Sequence, residues 1–160
     1  MSYQNYRLYS FVANGYLSPL QCGLQTAHAI AEMSVKYNDD TRADHAYRTW
    51  AGEDKVIIIC GAFNSKGVAS CVMELNRTGA DCLGLPVALF CEDEDSLGGA
   101  ATACAVVVPQ KYWDTTPIKD EADDIEAWLH ICPNTFKHHF YPLTHPEGQF
   151  VDHIKGFRLA

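Results

Sequence analysis

The sequence predicts an α/β domain in which helices are layered on a sheet, and two observations lead to that class. Apolar runs with strand character alternate along the chain with segments of helical periodicity, which is the pattern of an α/β layered domain. The chain has 160 residues, of which 48% are hydrophobic. That length suits one domain with a substantial core, so we expect residues 1–160 to form a single domain.

Local patterns predict the elements of the first third of the chain. Residues 6–13 alternate aromatic and apolar side chains, as a strand does, before a turn. Ser18-Pro19-Leu20-Gln21 supplies an N-cap, an early proline and a capping-box glutamine, so a helix is expected at about 19–37. A short helix is expected at 45–50. Residues 55–60 form a continuous β-branched run, which is typical of a strand buried on both faces.

The same reasoning extends through the remaining core elements. Residues 65–77 place apolar side chains on one helical stripe, and Gly79 suits the end of that helix. Buried strands are expected at 86–91 and 102–108. Residues 151–159 alternate again, which predicts a final strand.

The segment at about 110–147 differs in character and reads as an insertion. It is rich in proline and carries an acidic stretch, 120–124, which we interpret as the start of a short helix. Its aromatic residues are too numerous for a free loop, so we expect them to pack: Trp113, Trp128, Phe136, Phe140 and Tyr141.

Composition limits the cellular locations and the classes of partner that we expect for this chain. The formal net charge of −8 disfavours broad binding to nucleic acid, and no apolar run reaches the roughly 20 residues of a membrane span. Seven cysteines without a C-x-x-C pair indicate reduced thiols, and no secretory signal is evident, so a cytoplasmic location is expected. No cofactor and no metal are expected, because the following residues match no zinc spacing: His130, Cys132, His138, His139 and His145.

Polar residues on the first helix form the first candidate site. Gln21, Gln25, His28 and Glu32 recur at spacings that place them on one helical face. A solvated outer face would give the same pattern, and Gln21 has a sufficient role in the capping box. The acidic run 92–95 is better explained as a solvated turn than as a cation site.

Five stretches of the chain follow one another in the order of a known family: Leu17–Ala29, Tyr47–Ile58, Leu83–Leu89, Gly98–Pro109 and Phe150–Leu159. Together they resemble the type-2 peptidyl-tRNA hydrolases of archaea and eukaryotes. The resemblance implies a three-layer α/β/α fold with a mixed sheet, interrupted by the insertion. It also implies a homodimer, which is common in that family.

The resemblance further implies a set of site residues. It assigns catalysis, if activity is retained, to His28, Glu92 and Asp93. It assigns ligand binding to six residues, of which the two glycines would offer backbone amides to an anion: Gln21, Gln25, His28, Gly98, Gly99 and Thr102.

Departures from the family pattern bear on the function. The family's helix lysine falls on Gln21, or near Pro19 if the register slips, and neither residue is basic. The family's acidic loop becomes residues 91–97, which contain neither arginine nor threonine. Hydrolysis needs a group that stabilises the developing oxyanion, and four acids near the site would repel tRNA. We therefore expect a repurposed domain that binds or sequesters a small nucleotide-like ligand. An active peptidyl-tRNA hydrolase, with tRNA as a disfavoured partner, and a protein-interaction module using the aromatic insertion remain the alternatives.

Overall fold

A computed structural model describes residues 5–37, 42–114, 116–118, 140–142 and 145–160. Its strands are β1 (Tyr6–Val12), β2 (Val56–Gly61), β3 (Val87–Cys91), β4 (Ala101–Pro109), β5 (Thr116–Ile118) and β6 (Phe140–Pro142). Its α-helices are α1 (Pro19–Lys36), α2 (Arg42–Thr49), α3 (Ser65–Glu74), α4 (Glu94–Leu97), α5 (Gln110–Trp113) and α6 (Pro146–Lys155). Two π-helical stretches, Trp50–Asp54 and Leu75–Cys82, continue α2 and α3.

Four strands form one mixed sheet in the order β2-β1-β4-β3. Strand β1 is parallel to β2 and antiparallel to β4, and β3 is also antiparallel to β4. Strands β1, β2 and β3 therefore run in the same direction and end at one edge of the sheet, where β4 begins. We call this side the carboxyl edge. The prediction of an α/β class is confirmed, and β5 and β6 form a separate parallel pair.

The sheet separates two apolar clusters. On one face, side chains of α3 and α6, including Val68, Cys71 and Phe150, pack against Phe11 of β1. On the other face, α1 contributes Met33, together with further side chains that include Trp50. Every residue of β4 is buried, because this strand is central and covered on both sides. Helices therefore lie on both faces of the four-stranded sheet.

Local signals account for the ends of α1. Both hydrogen bonds of the predicted capping box are present at Ser18 and Gln21, and Pro19 begins the helix. At its other end, the Tyr37 hydroxyl accepts a hydrogen bond from the Val87 N–H at 2.8 Å and donates one to the Val87 carbonyl at 3.0 Å. The Tyr37 side chain thus satisfies backbone groups of β3, which is an edge strand of the sheet.

Two predictions about strands were wrong. Residues 151–159 do not form a strand, because Val151 and Ile154 lie on one helical face of α6, and only Leu159 makes an isolated bridge, to Cys60. The run at 55–60 is a strand, but it is not buried on both faces. It is an edge strand of the sheet, and its residues Val56 and Ile57 are each 43% exposed. Strand order, which composition does not encode, makes the difference.

The predicted insertion is described only in part. Of the aromatic residues expected to pack, Trp113 lies against the core, with the Arg7 guanidinium 4.2 Å from the centre of its ring. Its neighbour Tyr112 is buried edge-on against Phe150. The acidic helix start at 120–124 lies outside the described residues, as do the remaining aromatic positions apart from the backbone of 140–142.

Two further observations concern the environment of the chain. Within the described ranges, no helix combines the length and apolar character that crossing a membrane requires. The six cysteines that the structure describes are all free thiols, and four of them are buried.

Candidate functional site

Three of the predicted site residues meet in one hydrogen-bonded chain at the carboxyl edge. The Gln25 side-chain amide donates from Nε2 to Glu92 Oε1 at 2.6 Å, and its Oε1 accepts from Thr102 Oγ1 at 3.1 Å. Gln25 lies on α1, Glu92 directly follows β3, and Thr102 is the second residue of β4. The chain therefore joins three elements that are 67 and 77 residues apart along the sequence. We call these residues the Gln25 network.

Burial constrains the hydrogen-bond geometry of this network. Gln25 is only 9% exposed and Thr102 is fully buried, so an unpaired amide or hydroxyl there would be costly. A carboxylate only accepts hydrogen bonds, so the amide nitrogen faces Glu92 and the amide oxygen faces the Thr102 hydroxyl. The side chain of Gln25 is thereby held in one orientation. Its position is typical of ligand sites, which in α/β sheets lie beyond the carboxyl ends of parallel strands.

His28 stands apart from this network. Its ring stacks on Phe90 with centroids 4.5 Å apart and planes 15° from parallel, and the residue is exposed. No residue in the described ranges forms a hydrogen bond with the imidazole. His28 therefore has no partner there that would orient it as a general base. Its stacked ring is instead an aromatic surface next to Gln25 on α1.

Gln21 has the structural role that its sequence context indicated. Its side-chain oxygen accepts a hydrogen bond from the Ser18 N–H at 2.8 Å, and Ser18 Oγ accepts one from the Gln21 N–H at 3.3 Å. The residue is exposed and lies one turn before Gln25. Its side chain is thus committed to the start of α1, although its amide nitrogen still faces solvent on the same side of the helix.

Gly98 and Gly99 do not present free amides. Both have left-handed backbone angles, with φ of 60° and 68°. The Gly98 N–H donates to the Glu94 carbonyl at 3.1 Å, and the Gly99 N–H approaches the Asp93 carbonyl at 3.5 Å. A Cβ atom on Gly99 would lie 3.3 Å from a carboxylate oxygen of Glu94. This geometry ends α4 and places the Glu94 carboxylate nearby. The two glycines therefore offer no free backbone amides to bind an anion. The Asp93 side chain is exposed and makes no cap hydrogen bond.

Comparison with known proteins gives no independent assignment. No family model matches the chain, and no curated protein matches it either.

The charges around the site are acidic. Residues 8–35 and 78–110, which include all of the predicted site residues, contain no lysine or arginine. Tyr16, on the loop between β1 and α1, has a pKa above its ordinary value because of partial burial and because of the negative charge of Glu92. Within the described residues, no group of three His, Cys, Asp or Glu side chains is placed to hold a metal ion.

Sequence reasoning missed a second polar contact, on the opposite face of the sheet. Cys71 Sγ lies 3.3 Å from His153 Nε2 across 82 residues of sequence. A hydrogen bond with Cys104 and burial raise the pKa of the Cys71 thiol, and burial lowers the pKa of His153. Both groups are therefore neutral at pH 7. A nucleophilic pair would need a thiolate, so this contact has a structural role. No local motif connects the two residues.

A cavity of about 240 Å³ lies at the opposite end of the strands from the carboxyl edge, where β1 begins and β4 ends. Tyr6, Pro109 and Tyr112 contribute to its walls. None of the predicted site residues lines it. This cavity therefore lies away from the Gln25 network.

Proposed function

We propose that this chain is a divergent domain of the type-2 peptidyl-tRNA hydrolase kind that binds a small nucleotide-like ligand at the carboxyl edge. The three-layer fold of that family is part of the proposal. A four-stranded mixed sheet with helices on both faces is compatible with it.

The observation that carries the proposal is the Gln25 network. Its three side chains come from α1, from the end of β3 and from the start of β4, and they meet where α/β sheets commonly bind ligands. A buried amide that is oriented by a carboxylate and a hydroxyl forms a rigid wall, and rigid polar groups give specificity at low entropic cost.

The ring of His28 supports a ligand with a flat component. One face of the imidazole is covered by Phe90, and the exposed residue leaves the outer face accessible. Nucleobases stack readily on aromatic side chains. The outer face of His28 is therefore an accessible flat surface near the end of β3.

The charges weigh against peptidyl-tRNA as the substrate. The acids at 92–95 would repel the phosphates of a tRNA, and residues 8–35 and 78–110 contain no basic side chain to attract them. Hydrolysis also requires stabilisation of a developing oxyanion. The amides of Gly98 and Gly99 already have carbonyl acceptors. We therefore expect ester hydrolysis to be weak or absent.

Calorimetry with a panel of nucleoside monophosphates and cyclic nucleotides tests the binding function. Losing a buried hydrogen-bond partner costs about 1–3 kcal/mol, so Gln25→Ala should weaken affinity about 5- to 150-fold. The fully buried Thr102 hydroxyl acts on the ligand only by orienting the Gln25 amide, so Thr102→Ala should weaken affinity in the same direction. Thr26→Val is a matched control, because Thr26 makes another buried contact between α1 and the sheet, to Ser10 at 2.8 Å. Absence of binding across the panel, or equal binding by all three variants, would overturn the proposal.

The alternatives have their own tests. Turnover of peptidyl-tRNA that disappears in His28→Ala would favour the hydrolase over the binding domain. The protein-interaction module relies on the aromatic insertion, most of which lies outside the described residues. A homodimer stays a prediction, which sedimentation of the purified chain would test.

A further inference from the structure

Phe63 is an aromatic residue in an unusual position at the carboxyl edge. It follows β2 by two residues, its side chain is 69% exposed, and its backbone has a φ of 66°. Left-handed angles are strained for a bulky residue and occur routinely only in glycine and, less often, asparagine or aspartate. A turn alone would favour one of those residues. The exposed ring adds little to the core, so core packing does not account for a phenylalanine here.

Two hydrogen bonds from the β1–α1 loop hold Phe63 in place. The Phe63 N–H donates to Asn14 Oδ1 at 3.0 Å, and the Gly15 N–H donates to the Phe63 carbonyl at 2.6 Å. A Cβ atom at position 15 would lie 2.5 Å from the Phe63 carbonyl oxygen and 2.9 Å from its ring, so only glycine fits this close approach. The loop thus fixes the position from which the ring is presented to solvent.

The same loop connects Phe63 to the Gln25 network. Tyr16 follows Gly15, is 50% exposed, and is close enough to Glu92 for that charge to raise its pKa. Before Gly15, the Ala13 N–H donates to the Thr102 carbonyl at 3.0 Å. The loop is therefore hydrogen-bonded to the Thr102 end of the network, and its neighbouring residues Asn14 and Gly15 hold Phe63.

We infer that Phe63 is the stacking wall for the planar ring of the ligand, and that the site recognises this ring and not a phosphate. This inference rests on the proposed function and specifies its ligand class, a nucleoside-like molecule. Strained residues persist where the surrounding structure holds them, and they cluster at binding sites. A pre-positioned ring stacks without further loss of conformational entropy. The predicted glycine cradle is closed, and the loop from Phe63 through Tyr16 to the network contains no cation.

The first experiment measures the affinity of adenosine and of adenosine monophosphate for the intact chain and for Phe63→Leu. Stacking on one aromatic side chain corresponds to a loss of about 5- to 150-fold, and we expect that loss for both probes in Phe63→Leu. Phe63→Trp should retain the affinity. Met73→Ala is a matched control, because Met73 is 73% exposed on α3 and is distant in sequence from the loop.

The second experiment tests whether phosphate is recognised. Binding that involves few phosphate contacts depends weakly on salt, so the two probes should bind within about threefold of each other at both low and high salt. Lys66 is the basic residue nearest to Phe63 along the chain, in the first turn of α3. Lys66→Met should leave the ratio of the two affinities unchanged. A monophosphate that binds more than about tenfold tighter, and loses that advantage in Lys66→Met, would overturn the inference.

The outcomes separate this inference from the proposed function. If nucleotides bind and Gln25→Ala weakens them while Phe63→Leu does not, the stacking wall is wrong and the binding function stands. If neither probe nor any nucleotide of the panel binds, both are wrong. Phe63→Gly provides a further measurement, because a purely structural Phe63 would leave affinity unchanged. We expect this variant to fold with an equal or higher Tm and to bind more weakly, since the strain and the ring are removed together.

Discussion

Replacement of Thr102 by valine tests the Gln25 network most directly. Valine keeps the shape of threonine but removes the hydroxyl that donates to Gln25 Oε1 at 3.1 Å. The amide oxygen then lies on a side chain that is 9% exposed, without its donor. An unsatisfied buried acceptor costs about 1–3 kcal/mol, which for a chain of this size lowers Tm by about 2–12 °C. Urea unfolding followed by tryptophan fluorescence measures the change.

A double-mutant cycle shows whether the loss comes from the hydrogen bond. Gln25→Leu removes the amide and leaves the Thr102 hydroxyl unpaired, so this variant should also be destabilised. The double variant replaces both partners with apolar side chains, and we expect its loss to be smaller than the sum by about 0.5–3 kcal/mol. Additive losses, or a Thr102→Val variant within about 0.3 kcal/mol of the parent, would refute a coupled network.

Three further predictions concern stability. Tyr37→Phe should cost about 1–3 kcal/mol in urea unfolding, because the buried Val87 N–H loses its acceptor; an unchanged free energy would contradict the edge-capping role. Burial lowers the pKa of His153, so the unfolded chain binds a proton at a higher pH than the folded chain does. The free energy of unfolding should therefore fall as pH drops below about 6.5, by at most about 1.4 kcal/mol per pH unit. His153→Gln should flatten that slope, and an unaltered slope would exclude His153 as its cause. Trp50→Phe should cost about 1–3 kcal/mol in thermal unfolding, because it removes the hydrogen bond that the buried Trp50 indole donates to the Val56 carbonyl at 2.9 Å. An unchanged Tm would contradict this.

The candidate site was only partly predictable. Gln25, Glu92 and Thr102 came from a resemblance, and the structure brings them into contact. His28 came from the same helical pattern as Gln25, yet it lies outside the network. Its exposed ring stacks on Phe90 of β3, whereas the buried Gln25 side chain bonds to Glu92 and Thr102. Phe63 carried no signal in the sequence. Its importance depends on a φ of 66° and on hydrogen bonds to a loop 49 residues away.

Features that a few neighbouring residues encode could be predicted from the sequence alone. The capping box at Ser18 began α1, the β-branched run placed β2, and alternating segments set the α/β class. Such signals act within about one turn or one strand, so they can be read locally. They do not extend to pairing between segments, which depends on how whole faces pack.

Features that depend on which distant segments become neighbours follow only from the packed fold. Strand order placed β2 at an edge and β4 at the centre, which set the exposure of Val56 and the burial of Thr102. It also joined the end of β3 and the start of β4 to α1. A side-chain contact across 67 residues leaves no periodicity in the sequence, because its partners are brought together only when the sheet and its helices pack.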